Sequence, residues 1–289
     1  MEKFSKYRDE ATGIAPYLPI SRIQDNQVVH VLKHVVGILK LPIIFVLLLI
    51  HGLVVQWIPP ARQSFLKLIL LVMGLHAWNV SSEDKKRSRD RRLSKFLPQS
   101  GDMIVSNFIS PLDPLVYSVL FDSMFALPTA EGNGYVQYSA FSLFFNALTL
   151  PTNSDKNTGR PLAEILSEAS AQSKVLVVFP EGTTSNGRGL LPIVEVPVPK
   201  DCKVFPTALK YEPQEITTPL PRNAFLWLYQ CISNFHISAY IRFSRAVTEV
   251  ETKDIAAHIC QVGRLKMIGQ NLDRRTKAEF ANAWNRRNG

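Results

Sequence analysis

Between Leu41 and Ile58 the chain reads LPIIFVLLLIHGLVVQWI, 18 residues without a charge, and Pro59-Pro60 halts it. At about 1.5 Å per residue a helix of that length measures about 27 Å, close to the roughly 30 Å of a bilayer core. A second apolar run, Phe65 to Trp78, follows the two prolines and carries one charge, Lys67. Two apolar helices across a Pro-Pro turn are expected to form a membrane hairpin, spanning or re-entrant; a buried core hairpin would show the same pattern. Trp57 and Trp78 stand at the ends of the two runs, where an interfacial belt places tryptophan. Only this region could cross lipid, which excludes a many-pass transporter.

The flanks agree with a membrane setting. Residues 1–27 form a polar N-terminal tail, and the apolar stretch begins too late for a signal peptide. From Val28 to Lys40 a polar stripe of His30, Lys33, His34, Gly37 and Lys40 runs along an otherwise apolar helix. Such a helix suits the lipid interface, although a soluble amphipathic helix would look alike. Past the hairpin, residues 81–100 make a basic linker holding Lys85, Lys86, Arg87, Arg89, Arg91, Arg92 and Lys95. With Arg22, Lys33 and Lys40 on the other side, the positive-inside rule places both ends in the cytosol. A basic run beside a membrane segment also draws anionic headgroups. The net charge of +9 calls for anionic partners, but no aromatic residues interleave with the basic run, which argues against nucleic acid. Cys202, Cys231 and Cys260 form no CxxC pair. That excludes a disulfide scaffold, makes a thiolate metal site a poor fit and suits a reducing, cytosol-facing environment.

Residues 101–250 read as one α/β domain, and 251–289 as a charged helical tail. Val175–Phe179 (VLVVF) is wholly apolar, the mark of a strand buried on both faces. Met103–Phe108, Val204–Leu209 and His236–Phe243 are further strand candidates, with helical patterns at Leu162–Ala169 and Asn223–Asn234. The alternation predicts a mostly parallel sheet flanked by helices. Ligands on such sheets gather at the carboxyl ends of strands, and two segments qualify. Asn107 to Asp113 (NFISPLD) follows the first strand; Phe179 to Gly187 (FPEGTTSNG) follows VLVV. Ser110, Pro111 and Asp113 match a helix start, with serine as N-cap, proline at N1 and an acid at N3, so Asp113 has a capping explanation beside any catalytic one. Glu181, Gly182, Thr183 and Thr184 could hold a polar headgroup through carboxylate, hydroxyl and backbone N–H groups.

These segments, in this order behind a membrane hairpin, resemble the PlsC-type glycerolipid acyltransferases. In that family an N-H-x4-D motif follows one strand, a P-E-G-T motif another, and a V-x-P-[TV]-like motif lies on a later strand. Asp113 matches the aspartate, Phe179 to Thr183 the second motif and Val204-Phe205-Pro206-Thr207 the third. The Ser-Pro-Leu-Asp core and the N-terminal Thr-Gly-Ile-Ala-Pro resemble a fungal subgroup acting as lysophosphatidic acid:acyl-CoA acyltransferases at endoplasmic reticulum and lipid droplets. The resemblance implies transfer of an acyl chain from acyl-CoA, a co-substrate, to a lysophospholipid, foremost lysophosphatidic acid to phosphatidic acid. It implies no metal and no bound cofactor. In the mechanism it implies, a histidine paired with the aspartate takes the proton of the lysolipid hydroxyl, and the P-E-G-T loop binds the glycerol-phosphate end.

Two positions depart from the family pattern. Phe108 stands where the family has histidine, and Phe cannot accept a proton. Thr184 replaces the arginine after P-E-G-T. Asp113 assisted by Ser110 could serve as base instead; a histidine from elsewhere, His236 being the one within the α/β core, could enter; or catalysis is lost and a lipid-binding or trafficking protein remains. Arg160, Arg188 and Lys210 are the candidates for a phosphate-binding cation by proximity alone.

Overall fold

The structure, a computed structural model, describes residues 2–21, 26–83, 96–150, 159–200 and 202–288. The basic run expected at 85–95 and the flanking Arg22 lie outside the described residues. Helix α1 (Gln27–Leu53) is followed by α2 (Pro59–Met73) and β1 (Leu75–Ser82). Then come β2 (Met103–Ser106), α3 (Leu112–Leu120), β3 (Ser123–Pro128), β4 (Tyr135–Tyr138) and α4 (Ala140–Asn146). Next are α5 (Leu162–Ala171), β5 (Val175–Val178), β6 (Gly189–Leu190) and β7 (Val204–Glu212). The chain closes with α6 (Ala224–Ile232), β8 (Ile237–Phe243), α7 (Thr252–Gly263), β9 (Lys266–Met267) and α8 (Arg274–Asn288).

Seven strands form one sheet in the order β1-β8-β7-β2-β5-β3-β4. The central four, β7, β2, β5 and β3, run parallel, while β4 and β8 each pair antiparallel with their inner neighbours. Because successive side chains on a strand point to opposite faces, β2 and β5 feed two cores. Ile104 and Val177 face one layer, with Leu66, Ile69 and Leu70 of α2, Leu112 and Val116 of α3, and Trp227 of α6. Met103, Val105, Leu176 and Val178 face the other, with Ile165 and Ala169 of α5 and Ile255 and Ile259 of α7. A mostly parallel sheet flanked by helices was the expected class, and it is the observed one.

The N-terminal helices differ from the expected hairpin. The predicted interfacial helix and first apolar helix are one continuous helix, α1, which by length and composition could cross a membrane. The second apolar helix stops at Met73, because Gly74 takes a left-handed φ of +114° as its C-cap. The residues after it, predicted helical as far as Trp78, form edge strand β1, parallel to β8 with Trp78 opposite Ala239. Trp78 is thus a sheet residue, and α2 belongs to the core layer. Residues 2–21, expected as a polar tail, pack instead against the chain's other end. Tyr17 is fully buried with Leu191, Ile268, Leu272 and Phe280, and Phe4 and Tyr7 pack against the same cluster.

Candidate functional site

Register brings the two predicted segments together. β2 and β5 are adjacent and in parallel register, Met103 opposite Leu176 and Val105 opposite Val178, so their carboxyl ends lie side by side. Glu181 bridges them: Oε2 accepts the backbone N–H of Phe108 at 2.5 Å and Oε1 accepts that of Leu191 at 2.7 Å. Ser185 N–H donates to the Phe108 carbonyl at 3.0 Å. Asn107 ties the first segment to β7, donating to Leu209 O at 3.0 Å and accepting from Leu209 N–H at 2.8 Å. Gly182, at φ +63°, makes the turn; a β-carbon there would come within 3.0 Å of Pro128 Cγ.

Asp113 closes the start of α3. Its Oδ2 accepts from the N–H groups of Ile109 at 2.7 Å and Ser110 at 3.0 Å, so it does satisfy a helix entrance. Its Oδ1 is different: it is buried with no hydrogen bond, as is the hydroxyl of Tyr211 on β7. The Tyr211 phenol favours the charged carboxylate from close by but stands outside hydrogen-bonding geometry. Burial pushes the Asp113 carboxyl up to about 7, against the pull of the two N–H groups and Tyr211. Burial likewise raises Glu181 to about 8, with the Asp113 charge adding to the rise and Lys277 opposing it.

Lys277, on α8, was not anticipated from sequence. It is 1% exposed, and its Nζ donates to Thr183 Oγ1 at 2.8 Å, Thr184 O at 2.6 Å and Thr184 Oγ1 at 2.9 Å. Burial lowers it to about 7 despite the attraction of Glu181. A signal was present: Lys277 occupies the same helical stripe as Phe280, Ala281 and Trp284, a position that on an exposed helix would be apolar.

The other predicted residues fall as follows. Phe108 is 1% exposed and stacks on Phe179, while Ser110 Oγ donates to Ile216 O at 3.1 Å and accepts from Leu112 N–H, so Ser110 meets Asp113 through its backbone. Thr184 Oγ1 donates to Thr218 O. Arg160 is exposed and paired with Glu164 and Glu168, at 3.6 and 3.0 Å. Arg188 is exposed beyond the turn, and Lys210 is exposed on the face of β7 opposite Tyr211. His236 is exposed, its ring stacked on His76. Thus Asp113, Phe108, Glu181, Gly182, Thr183 and Thr184 converge, and the three proposed cations do not join them.

Known proteins resemble this chain over its α/β domain. Residues 84–199 match the Acyltransferase family model. A Schizosaccharomyces pombe protein named "Putative lysophosphatidic acid:oleoyl-CoA acyltransferase" is 28% identical over 290 residues, covering 93% of this chain and 94% of that protein. Lysophosphatidic acid:oleoyl-CoA acyltransferase 1 of Saccharomyces cerevisiae is 30% identical over 192 residues, covering 66% of this chain and 60% of that one. No solved structure matches.

Proposed function

This chain being an acyltransferase of the PlsC type, we propose that it transfers an acyl group from acyl-CoA to a lysophospholipid, with lysophosphatidic acid as acceptor and phosphatidic acid as product. The observation that carries the reading is the Asp113 carboxyl at the carboxyl end of β2. One oxygen is fixed by two N–H donors, the other is buried and unspent, and the carboxyl sits at about 7. A base works best with a pKa near ambient pH. With phenylalanine at position 108, Asp113 Oδ1 takes the proton of the acceptor hydroxyl. The freed oxygen attacks the thioester carbonyl, the tetrahedral intermediate collapses, and the departing CoA thiolate takes the proton held by Asp113, which regenerates the carboxylate. Glu181 aligns the two loops through the N–H groups of Phe108 and Leu191. The Gly182–Thr184 turn receives the headgroup.

The reaction takes place at a membrane. Exposed apolar residues such as Leu39, Phe45 and Val46 cover the outer side of α1, and Phe225 and Leu226 of α6 are exposed as well. We place the protein at endoplasmic reticulum or lipid droplets, with the catalytic domain facing the cytosol and anionic headgroups drawn to the basic segment. The test is purified protein in detergent with radiolabelled acyl-CoA and a panel of lysolipids. Transfer to lysophosphatidic acid above the other acceptors is expected. No transfer to any lysolipid would leave the lipid-binding reading that the buried Phe108 favours.

A further inference from the structure

Lys277 is buried at the end of the chain, outside the segment matched by the family model, and its ammonium has no carboxylate within ion-pair distance among the described residues. Its three protons go to uncharged oxygens of one turn, Thr183 Oγ1, Thr184 O and Thr184 Oγ1. A buried ammonium without a counter-charge is costly, and the threonine oxygens satisfy its protons without neutralising its charge. Glu181, the acid whose field reaches Lys277, already spends both oxygens on backbone N–H groups.

A second cation stands beside it. Arg274, three residues earlier on α8 and hence on the same helix face, donates from Nη1 to Pro128 O at 3.0 Å. A β-carbon at Gly182 would lie 3.7 Å from Arg274 Cδ, so the arginine stem rests against the same turn. The two charges repel, Arg274 acting to depress Lys277. Helix α8 therefore brings two mutually repelling cations to a turn with two threonine hydroxyls. A helix staple would need no buried ammonium; an anion at this turn would supply the counter-charge that Lys277 lacks.

We infer that Lys277 and Arg274 form the cationic half of a phosphate-monoester subsite, whose other half is the Gly182–Thr183–Thr184 turn. The inference rests on the proposed transfer to a phosphate-bearing acceptor and names the side chains that recognise that phosphate. When the phosphate enters, Lys277 exchanges its bonds to Thr184 for bonds to phosphate oxygens, and the threonine hydroxyls turn to donate to the same group.

The experiment uses the full chain in detergent, and reads binding separately from catalysis. Glycerol 3-phosphate should raise the melting temperature and glycerol should not. Lys277→Met should lose that shift and Lys277→Arg should keep it. A larger shift with glycerol 3-phosphate than with inorganic phosphate assigns the subsite to the lipid headgroup; equal shifts assign it to free phosphate, and both support the cationic pair. In acyl-transfer assays Lys277→Met should raise KM for lysophosphatidic acid by about tenfold or more, the scale of one lost charged hydrogen bond, leaving KM for acyl-CoA unchanged. If Lys277→Met fails to fold, Arg274→Gln carries the test and must weaken the phosphate shift. A wild type that no phosphate stabilises overturns the inference even where acyl transfer proceeds. A phosphate shift without acyl transfer upholds it and removes the enzymatic reading instead. An unchanged shift and KM in folded Lys277→Met, or an unchanged shift in Arg274→Gln, also overturns it.

Discussion

The rings of Phe108 and Phe179 stack with centroids 4.6 Å apart and planes inclined by 25°. Phe125 lies on the same stack, 6.3 Å from Phe179 and nearly parallel to it. The position that carries histidine in the resembling family has here become part of an aromatic core, which explains why phenylalanine is stable there. The backbone of Phe108 still serves the site, since its N–H holds Glu181 and its carbonyl holds Ser185.

Phe108→His is expected to trade stability for rate. It weakens a stack worth about 0.5–1.5 kcal/mol beyond its burial and places an imidazole immediately before Ile109 and Ser110, whose N–H groups anchor Asp113. Denaturant titration should show the loss, and acyl transfer should rise as a base of ordinary pKa joins Asp113. A destabilised variant with no gain in rate would mean that position 108 no longer points toward the reacting hydroxyl.

Asp113→Asn should leave folding nearly intact, because the amide oxygen can accept the N–H groups of Ile109 and Ser110 in the same way. Acyl transfer should fall by about 100-fold or more, the scale of general-base loss. In wild type, kcat/KM should rise with pH and level off above about 7, where Asp113 is ionised. A pH profile shared by wild type and Asp113→Asn would assign the base elsewhere.

Stability should fall as pH rises from about 4 to about 8. Asp113 and Glu181 have pKa values raised in the folded state to about 7 and 8, so folding takes up protons across that window, and their neutral forms stabilise most at its acid end. Lys277 acts oppositely: lowered to about 7, it contributes stability only as pH climbs from there toward its ordinary value. Melting temperatures of wild type and the Asp113→Asn, Glu181→Gln double variant, measured across this range, check the sign. The double variant should show the flatter curve below pH 7.

The outer side of α1 should hold the protein on membranes. Ile38, Leu39, Phe45 and Val46 are 63, 64, 60 and 52% exposed, so replacing them with serine removes apolar surface without opening the core. Wild type should stay in the pellet after alkaline carbonate washing, and the fourfold variant should be released with its circular dichroism unchanged. Retention of that variant would transfer the attachment to another surface.

The sequence by itself determined the strands with apolar runs, the helices that follow them and the loops that carry Asp113 and Glu181. These are local properties, set by burial period and by residues that end an element. Leu162–Ala171 and Val175–Val178 were legible in this way. The end of α2 could have been read from Gly74, but the apolar Leu75, Ala77 and Trp78 that follow it concealed a strand whose partner β8 lies about 160 residues later. Strands β3 and β4 were missed for a related reason, since their short runs alternate with turn residues and gain their identity from pairing. Only the tertiary structure decided that Phe108 and Glu181, 73 residues apart, share a hydrogen bond, and that Lys277 returns across 94 residues to reach Thr183. Sheet register and helix docking are fixed by which surfaces exclude water together, and one chain's pattern states that a face is apolar without stating what it meets.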